Sequence, residues 1–400
     1  MVIPFENTML ASLAGVFTAP LGVLLLPAML LYVVTSLSLF EKADLWLIKF
    51  FLLVLLISIL NLSVLIADYD IGFLIDRGLR FALLAIPTMA VYLFCIRLNL
   101  ATLEKGVKII FAVVAAIYVV NLLVPSVVNS SSPLQFSEAL SPHRMRGFTF
   151  EASMFGFQFV IASLMFACVM KFPLKIVVPL ILILCIPITS KGAQIFFMLA
   201  VFVAIVQCFI RLQPIAKVLV SICLSTLLIW VSSGYVASMF ASDIEKYSSV
   251  ATRSTIFLTP IVALFSFPQG SGFFGFLPSI YSYGPIAMDF LDAMFPNALN
   301  FTEVMPYFVV GNVKGVGTKS FFMDWLLYGG LVFLFFYSKA VGAIFSELSQ
   351  KKSFYPICMF CFVVFSTFFY VPADGRYIAP FAIAYIVRLM RESRKEQQAL

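Results

Sequence analysis

Charge is what this sequence has least of. Only 11% of its 400 residues are Asp, Glu, Lys or Arg, while 62% are hydrophobic and the mean hydropathy is +1.07. Soluble domains carry about a quarter charged residues, and no soluble core could hide this much apolar surface, so a water-soluble enzyme or scaffold is excluded. Histidine is nearly absent: His143 stands alone, which speaks against a His-based nucleophilic triad and against His-ligated metal chemistry. All seven cysteines (Cys95, Cys168, Cys185, Cys208, Cys223, Cys358 and Cys361) fall inside apolar stretches, where Cys behaves as a small hydrophobe. Cys358 and Cys361 form a CxxC without His partners, so neither a disulfide framework nor a zinc site is expected. Walker loops, GxSxG elbows, internal repeats and low-complexity tracts are missing as well. Glu6 precedes the first apolar run with no basic segment ahead of it, which does not read as a cleaved signal peptide.

What is present is a succession of apolar runs, at roughly 20–40, 50–66, 81–96, 109–124, 149–170, 176–189, 193–210, 218–237, 320–338, 354–371 and 377–389. A further run at 8–20 is short for a span and ends at Pro20. With spans of about 20 residues each, the pattern predicts an all-α polytopic membrane protein of about eleven or twelve helices, forming one membrane domain over 1–400. The formal charge of +7 is spread in twos and threes between the runs, so it reads as topological and no nucleic-acid partner is expected.

Alternating the connections places Lys42 and Lys49, Arg97, Lys105 and Lys108, Lys171 and Lys175, Arg211 and Lys217, Lys339, Lys351 and Lys352, and the basic tail on one side, which is then cytoplasmic. The opposite side receives Asp68 to Asp76, the stretch 125–148, a short turn at Lys191, and a long loop at 239–318. That loop holds IFLTPIVALFSF (256–267), too short to span and followed by PQGSGFFGF, which reads as a re-entrant or interfacial helix.

Ionisable residues at bilayer depth cost roughly 3 kcal/mol on insertion scales, so those near the outer ends of spans are candidate site residues. Five places qualify. His143, Arg144, Arg146 and Glu151 precede or enter the span near 149; with a helix begun by Phe148, Glu151 sits in its first turn, where a carboxylate also suits the dipole. Lys191 is wedged between two spans, either as a ligand or as a snorkelling side chain. Arg253 lies directly ahead of the re-entrant candidate, and Lys314 and Lys319 lie ahead of a span holding Asp324. Asp374 and Arg376 share a tight outer turn, where a local ion pair is the simpler reading. Cations gathered around one carboxylate suit an anionic lipid-linked head group such as a diphosphate.

These segments resemble a family. Arg144, Gly147, Glu151 and Ser153 are similar to an R-x-x-G-x-x-x-E-P-S segment, with Ala152 in place of Pro; Ser190, Lys191 and Gly192 are similar to an S-R-x-G turn, with Lys for Arg. Arg253 and the apolar helix, Pro and G-x-G after it, and KSFFMDWLLYGGLVFLFF from Lys319, complete the likeness over roughly 140–340. The family is the bacterial O-antigen polymerase and O-antigen ligase superfamily, the Wzy-type membrane glycosyltransferases of the GT-C class. Lys319 stands where the ligases have His, which favours polymerase over ligase.

The resemblance implies a metal-independent, cofactor-free transfer of glycan from undecaprenyl diphosphate to another lipid-linked repeat unit, at the periplasmic face of the inner membrane. It also implies a chain-length regulator and a flippase as partners, and a product that is O-antigen, capsule or exopolysaccharide. In that reading Arg253 and Lys191 take the diphosphate, Arg144, Arg146, His143 and Lys319 bind substrate, and Glu151 is the base or acceptor-orienting group. The alternatives are an O-antigen ligase or a transporter of lipid-linked oligosaccharide. A flippase should carry midplane charges in paired halves, whereas these charges gather at one face.

The Lys/Arg asymmetry alone yields a test. Single cysteines placed between 270 and 315 are expected to react with a membrane-impermeant thiol reagent in intact cells, and those near 345 and 395 only after permeabilisation. Labelling of position 345 in intact cells would invert the topology.

Overall fold

Residues 3–5, 20–36, 40–130, 144–210, 220, 249–296, 298–313, 316–372 and 377–399 are described in the structure, a computed structural model. The described residues form α-helices and one 3-10 turn, with no strand among them. In chain order the helices are α1 (Pro20–Thr35), α2 (Lys42–Leu65), α3 (Ile71–Arg97), α4 (Leu100–Leu123), α5 (Pro125–Asn129), α6 (Ala152–Met170), α7 (Leu174–Cys185), α8 (Lys191–Phe209), α9 (Ser249–Ser266), α10 (Phe276–Met294), α11 (Phe321–Lys351), α12 (Phe354–Phe369) and α13 (Ile378–Ala399). The 3-10 turn is Met305–Phe308.

Six of these helices (α2, α3, α4, α6, α8 and α11) are long and apolar enough to cross a membrane, and four shorter apolar helices accompany them in α1, α7, α9 and α12. Large apolar side chains such as Leu60, Val64, Leu123, Ile183 and Phe209 stand exposed on the outside. In water these would form aggregation-prone patches, whereas acyl chains accept them. The chain is an all-α polytopic membrane protein. The expected runs at 8–20 and 218–237 lie outside the described residues.

Helix starts follow from side chains that accept the first free N–H groups: Asp70 from Phe73, Asn99 from Thr102, Ser190 from Ala193 and Ser320 from Met323. On the opposite side, α6 and α11 end on Lys171 and Lys352 in the left-handed region. The most enclosed span is α6, 72% of whose apolar window is buried, and it packs against α4, α7, α8, α12 and α13. A second core joins α2 and α3 to α9, α10 and α11. At the basic side α13 is tied down by ion pairs. Arg391 grips the buried carboxylate of Asp44 at 2.8 and 3.0 Å, Arg394 pairs with Glu347, and Lys351 donates to the carbonyl of Met390 at 2.7 Å.

The apolar segment expected at 256–267 belongs to a hairpin. It begins earlier, at Ser249, because Thr255 and Thr259 bond back to the carbonyls of Ala251 and Thr255 and so let polar residues enter the helix. Arg253 therefore lies inside α9 rather than ahead of it. The expected loop that follows is mostly the 19-residue helix α10, packed against α9. Its helical pattern is blurred by Pro285 and Gly284.

The turn between α9 and α10 reaches in between α2 and α11, which makes the hairpin re-entrant. Its tip meets α2 about two turns below Leu65 and α11 about two and a half turns below its start. There α11, expected as a single span to 338, runs on to Lys351 and is broken at Gly330, whose φ is 51° and ψ −134°. The break is mended by the hairpin: Ser271 N–H donates to Leu327 O at 2.8 Å, Gly272 N–H to Tyr328 O at 3.0 Å, and Leu331 N–H to Pro268 O at 2.7 Å. From α2, Asn61 donates to Gly270 O and Ser58 accepts from Phe273 N–H, both at 2.8 Å. Irregular backbone at this depth is tolerated only when protein satisfies it so completely.

Glycine is required where the two backbones touch. A Cβ on Gly270, whose φ is +91°, would lie 2.4 Å from Tyr328 O and 2.6 Å from Gly330 N. Gly270→Ala is expected to abolish or strongly destabilise the folded protein in a thermal melt. Gly342→Ala, in the helical second half of α11 and with nothing within 4 Å of its Cβ, should be neutral or stabilising by about 0.5–1 kcal/mol. Equal melts for the two variants would disprove the mended break.

Candidate functional site

The outer ends of α6, α8, α9, α11 and α12 meet at one place. At the top of α6 the backbone turns through Gly147 (φ +53°), where a Cβ would fall 2.4 Å from the Phe155 ring, and Gly147 N–H donates to Asn121 Oδ1 at 3.1 Å. The helix begins at Ala152, not by Phe148, so Glu151 is its N-cap rather than a first-turn residue. Its carboxylate does not cap the helix: Oε2 accepts from Ser153 Oγ at 3.2 Å, and the half-buried group stays at the outer end. Glu151 is thus positioned by the helix without serving as its cap.

Arg146 goes the other way. It is 2% exposed, and its Nη2 donates to the carbonyls of Val128 and Asn129 at 3.2 Å each, so it braces α5 against the loop before α6 rather than facing the surface expected of a substrate ligand. Burial draws its pKa down from the ordinary arginine value, yet a guanidinium remains protonated.

Arg144 is exposed and reaches the turn before α8, donating from Nε to Thr189 Oγ1 at 3.2 Å and from Nη2 to Thr189 O at 3.0 Å. Thr189 holds φ +56°, an outlier for a β-branched residue that costs of order 1–3 kcal/mol. Ser190 then caps α8 and Lys191, exposed, is its first residue. The top of α8 lies against α6, since a Cβ on Gly156 would meet Ser190 and Ala193 within 3.0 Å. It also lies against α12, where Phe196 stacks on Phe369 and Tyr370 at 4.9 and 5.6 Å.

The start of α11 is stitched to the end of α12 by Phe321 N–H to Val371 O (2.6 Å) and by Ser320 Oγ to the Phe368 carbonyl. Asp324 is buried and accepts from Thr318 Oγ1 at 2.7 Å, so it serves this turn. Lys319 precedes the cap with φ +60°, and its ammonium lies 5.9 Å from the centroid of the Tyr307 ring. Burial raises the Tyr307 phenol above its usual value, and the nearby carboxylates of Glu303 and Glu151 add to it. Tyr307 therefore has Lys319 over its ring and carboxylates in its neighbourhood. Arg253 is exposed in the second turn of α9, and one turn further on Phe257 stacks on Phe369 at 6.2 Å.

Arg144, Glu151, Lys191, Arg253 and Lys319 are thus carried to neighbouring helix ends, while Arg146 is turned inward. His143, Lys314, Asp374 and Arg376 lie outside the described residues. Among the described residues no group of three or more His, Cys, Asp or Glu is placed to hold a metal ion. Thr189 and Glu303 were not legible as participants, because only a backbone angle and a tertiary approach reveal them. Cations and a carboxylate at one end of a helix bundle are the groups that can hold a dianionic leaving group and accept a proton.

The inward turn of Arg146 has a measurable consequence. Arg146→Ala leaves two buried carbonyls without their donor, about 1–3 kcal/mol of lost stability, and should lower the melting temperature, whereas Arg253→Ala at an exposed position should not. An unchanged melt for Arg146→Ala would mean that the side chain faces the surface.

No protein-family model matches the chain. No solved structure matches it either. It is 34% identical over 401 residues to a protein of Klebsiella pneumoniae described as "Uncharacterized 49.5 kDa protein in cps region", an alignment that covers 98% of this chain and 90% of that one. Likeness of this degree along nearly the whole of both chains means that the protein belongs to the same family as the K. pneumoniae cps-region protein.

Proposed function

We propose that the protein is a membrane glycosyltransferase that polymerises lipid-linked oligosaccharide repeat units at the outer face of the bacterial inner membrane. The observation that carries this reading is that Lys191 starts α8, Arg253 lies in the second turn of α9 and Lys319 directly precedes α11, at the same end of the bundle as Glu151 at the N-cap of α6. The location of the K. pneumoniae relative in a cps region supports a role in capsular polysaccharide assembly.

The chemistry follows from the donor. In a glycosyl diphosphate the bond between the anomeric carbon and the phosphate oxygen is already activated, so the enzyme needs chiefly to stabilise the departing diphosphate and to orient the attacking hydroxyl. The anomeric C–O bond to the carrier breaks and a new one forms to a hydroxyl of the other lipid-linked unit. The hydroxyl proton passes to Glu151, and the lipid diphosphate leaves with the bonding pair. Lys191, Arg253 and Lys319 neutralise its charge in a partly desolvated site, where such contacts are strongest. The candidate residues Glu151, Lys191, Arg253 and Lys319 all lie at the starts of their helices rather than at mid-helix, which favours transfer over transport.

Purified protein given synthetic polyprenyl-diphosphate repeat units is expected to produce a ladder of longer glycans. Glu151→Gln should lower turnover by about a hundredfold or more at equal protein level, the usual range of a general base. Arg253→Ala should nearly abolish transfer, with Arg253→Lys intermediate because it keeps charge but loses the two-pronged fork. Failure of the parental protein to extend any lipid-linked unit would sink the reading.

A further inference from the structure

Arg144 carries the most specific geometry at the outer face, and that geometry points away from substrate. Its Nε–Nη2 edge, one of the two that can fork onto a phosphate, is occupied by Thr189 at 3.2 and 3.0 Å. Thr189 in turn is the residue held at φ +56°, where only glycine rests without strain. The turn is closed on the other side by Thr189 N–H to Ile186 O at 3.0 Å and by Thr189 Oγ1 to Ile188 O at 2.7 Å. Directly after it come the α8 cap Ser190 and then Lys191.

We propose that Arg144 is a positioning residue: it clamps the left-handed Thr189 turn and thereby aims Lys191 and the start of α8 at the anionic part of the substrate, without touching substrate itself. The inference rests on the site described under the proposed function. Its logic is that of a strained backbone over-determined by its surroundings. Without the guanidinium, Thr189 relaxes toward negative φ, and the direction in which the chain enters α8 changes with it. Ser190 then loses its place over the Ala193 N–H, and the start of α8 that carries Lys191 shifts against α6, where Ser190 and Ala193 now pack at Gly156.

The test is rescue. Arg144→Ala, Thr189→Gly and the double variant are purified and measured by thermal melt and by transfer from a synthetic polyprenyl-diphosphate repeat unit. Arg144→Ala should lose roughly ten- to a hundredfold in kcat/KM, corresponding to the release of one strained residue. It should also melt earlier. Adding Thr189→Gly, which adopts the left-handed conformation without help, should return both the melt and kcat/KM to within about threefold of the parental protein. A double variant that regains its melt but not its transfer rate would show that Arg144 contacts the substrate, and would overturn the proposal. If the parental protein shows no transfer, the functional reading fails by itself, and the clamp is decided on the melts: rescue by Thr189→Gly upholds it, and no rescue refutes it.

Discussion

The structure depends on one exchange of backbone hydrogen bonds. At Gly330 the helix α11 lets go of its own ladder, and the tip of the α9–α10 hairpin takes up the groups set free: Leu327 O, Tyr328 O and Leu331 N–H each find a partner between Pro268 and Gly272. In hydrocarbon an unpaired peptide group costs several kcal/mol, so neither the break nor the hairpin tip is stable alone. Each is the solution to the other's problem. The polar side chains of Ser58 and Asn61 complete the arrangement from α2, which gives these two residues a role in a largely apolar span.

That junction positions the outer face. With the hairpin tip held between α2 and α11, α9 rises with Arg253 in its second turn and packs through Phe257 on Phe368 and Phe369. The same end of α12 receives the start of α11 through Phe321 N–H and Val371 O, which brings Lys319 alongside Tyr307. On the other flank, α6, the most enclosed helix, sets Glu151 at its N-cap beside the start of α8. The charges at this end are carried by rigid helix ends rather than by free loops, the condition under which preorganised electrostatics stabilises a developing negative charge.

The opposite face is built differently. There Arg391 pairs with Asp44 and Glu41, and Arg394 and Lys351 with Glu347, so that α13 is bound to α2 and α11. Cations on the basic side thus serve topology and anchoring. At the other end Lys191, Arg253 and Lys319 stand at or just before the starts of α8, α9 and α11, the end at which Glu151 is the N-cap of α6.

The sequence by itself determined the all-helical membrane character and the positions of most apolar helices, because hydropathy and helix length are local properties of the chain. It also marked the short segment near Phe267 as unable to span. It did not reveal that α9 starts at Ser249, that α10 is a helix, or that α11 breaks at Gly330, since these follow from bonds between residues far apart in the chain. Glycine pairs in apolar runs are common, and only the approach of Gly270 to Gly330 shows why these two must lack a Cβ. The separation of Arg144 from Arg146 was likewise decided by the tertiary structure. Two residues apart in the same segment, they look alike as cations, but the fold sends one guanidinium into the carbonyls of α5 and leaves the other on the strained Thr189 turn, because a guanidinium settles where backbone oxygens from distant segments accept its N–H groups.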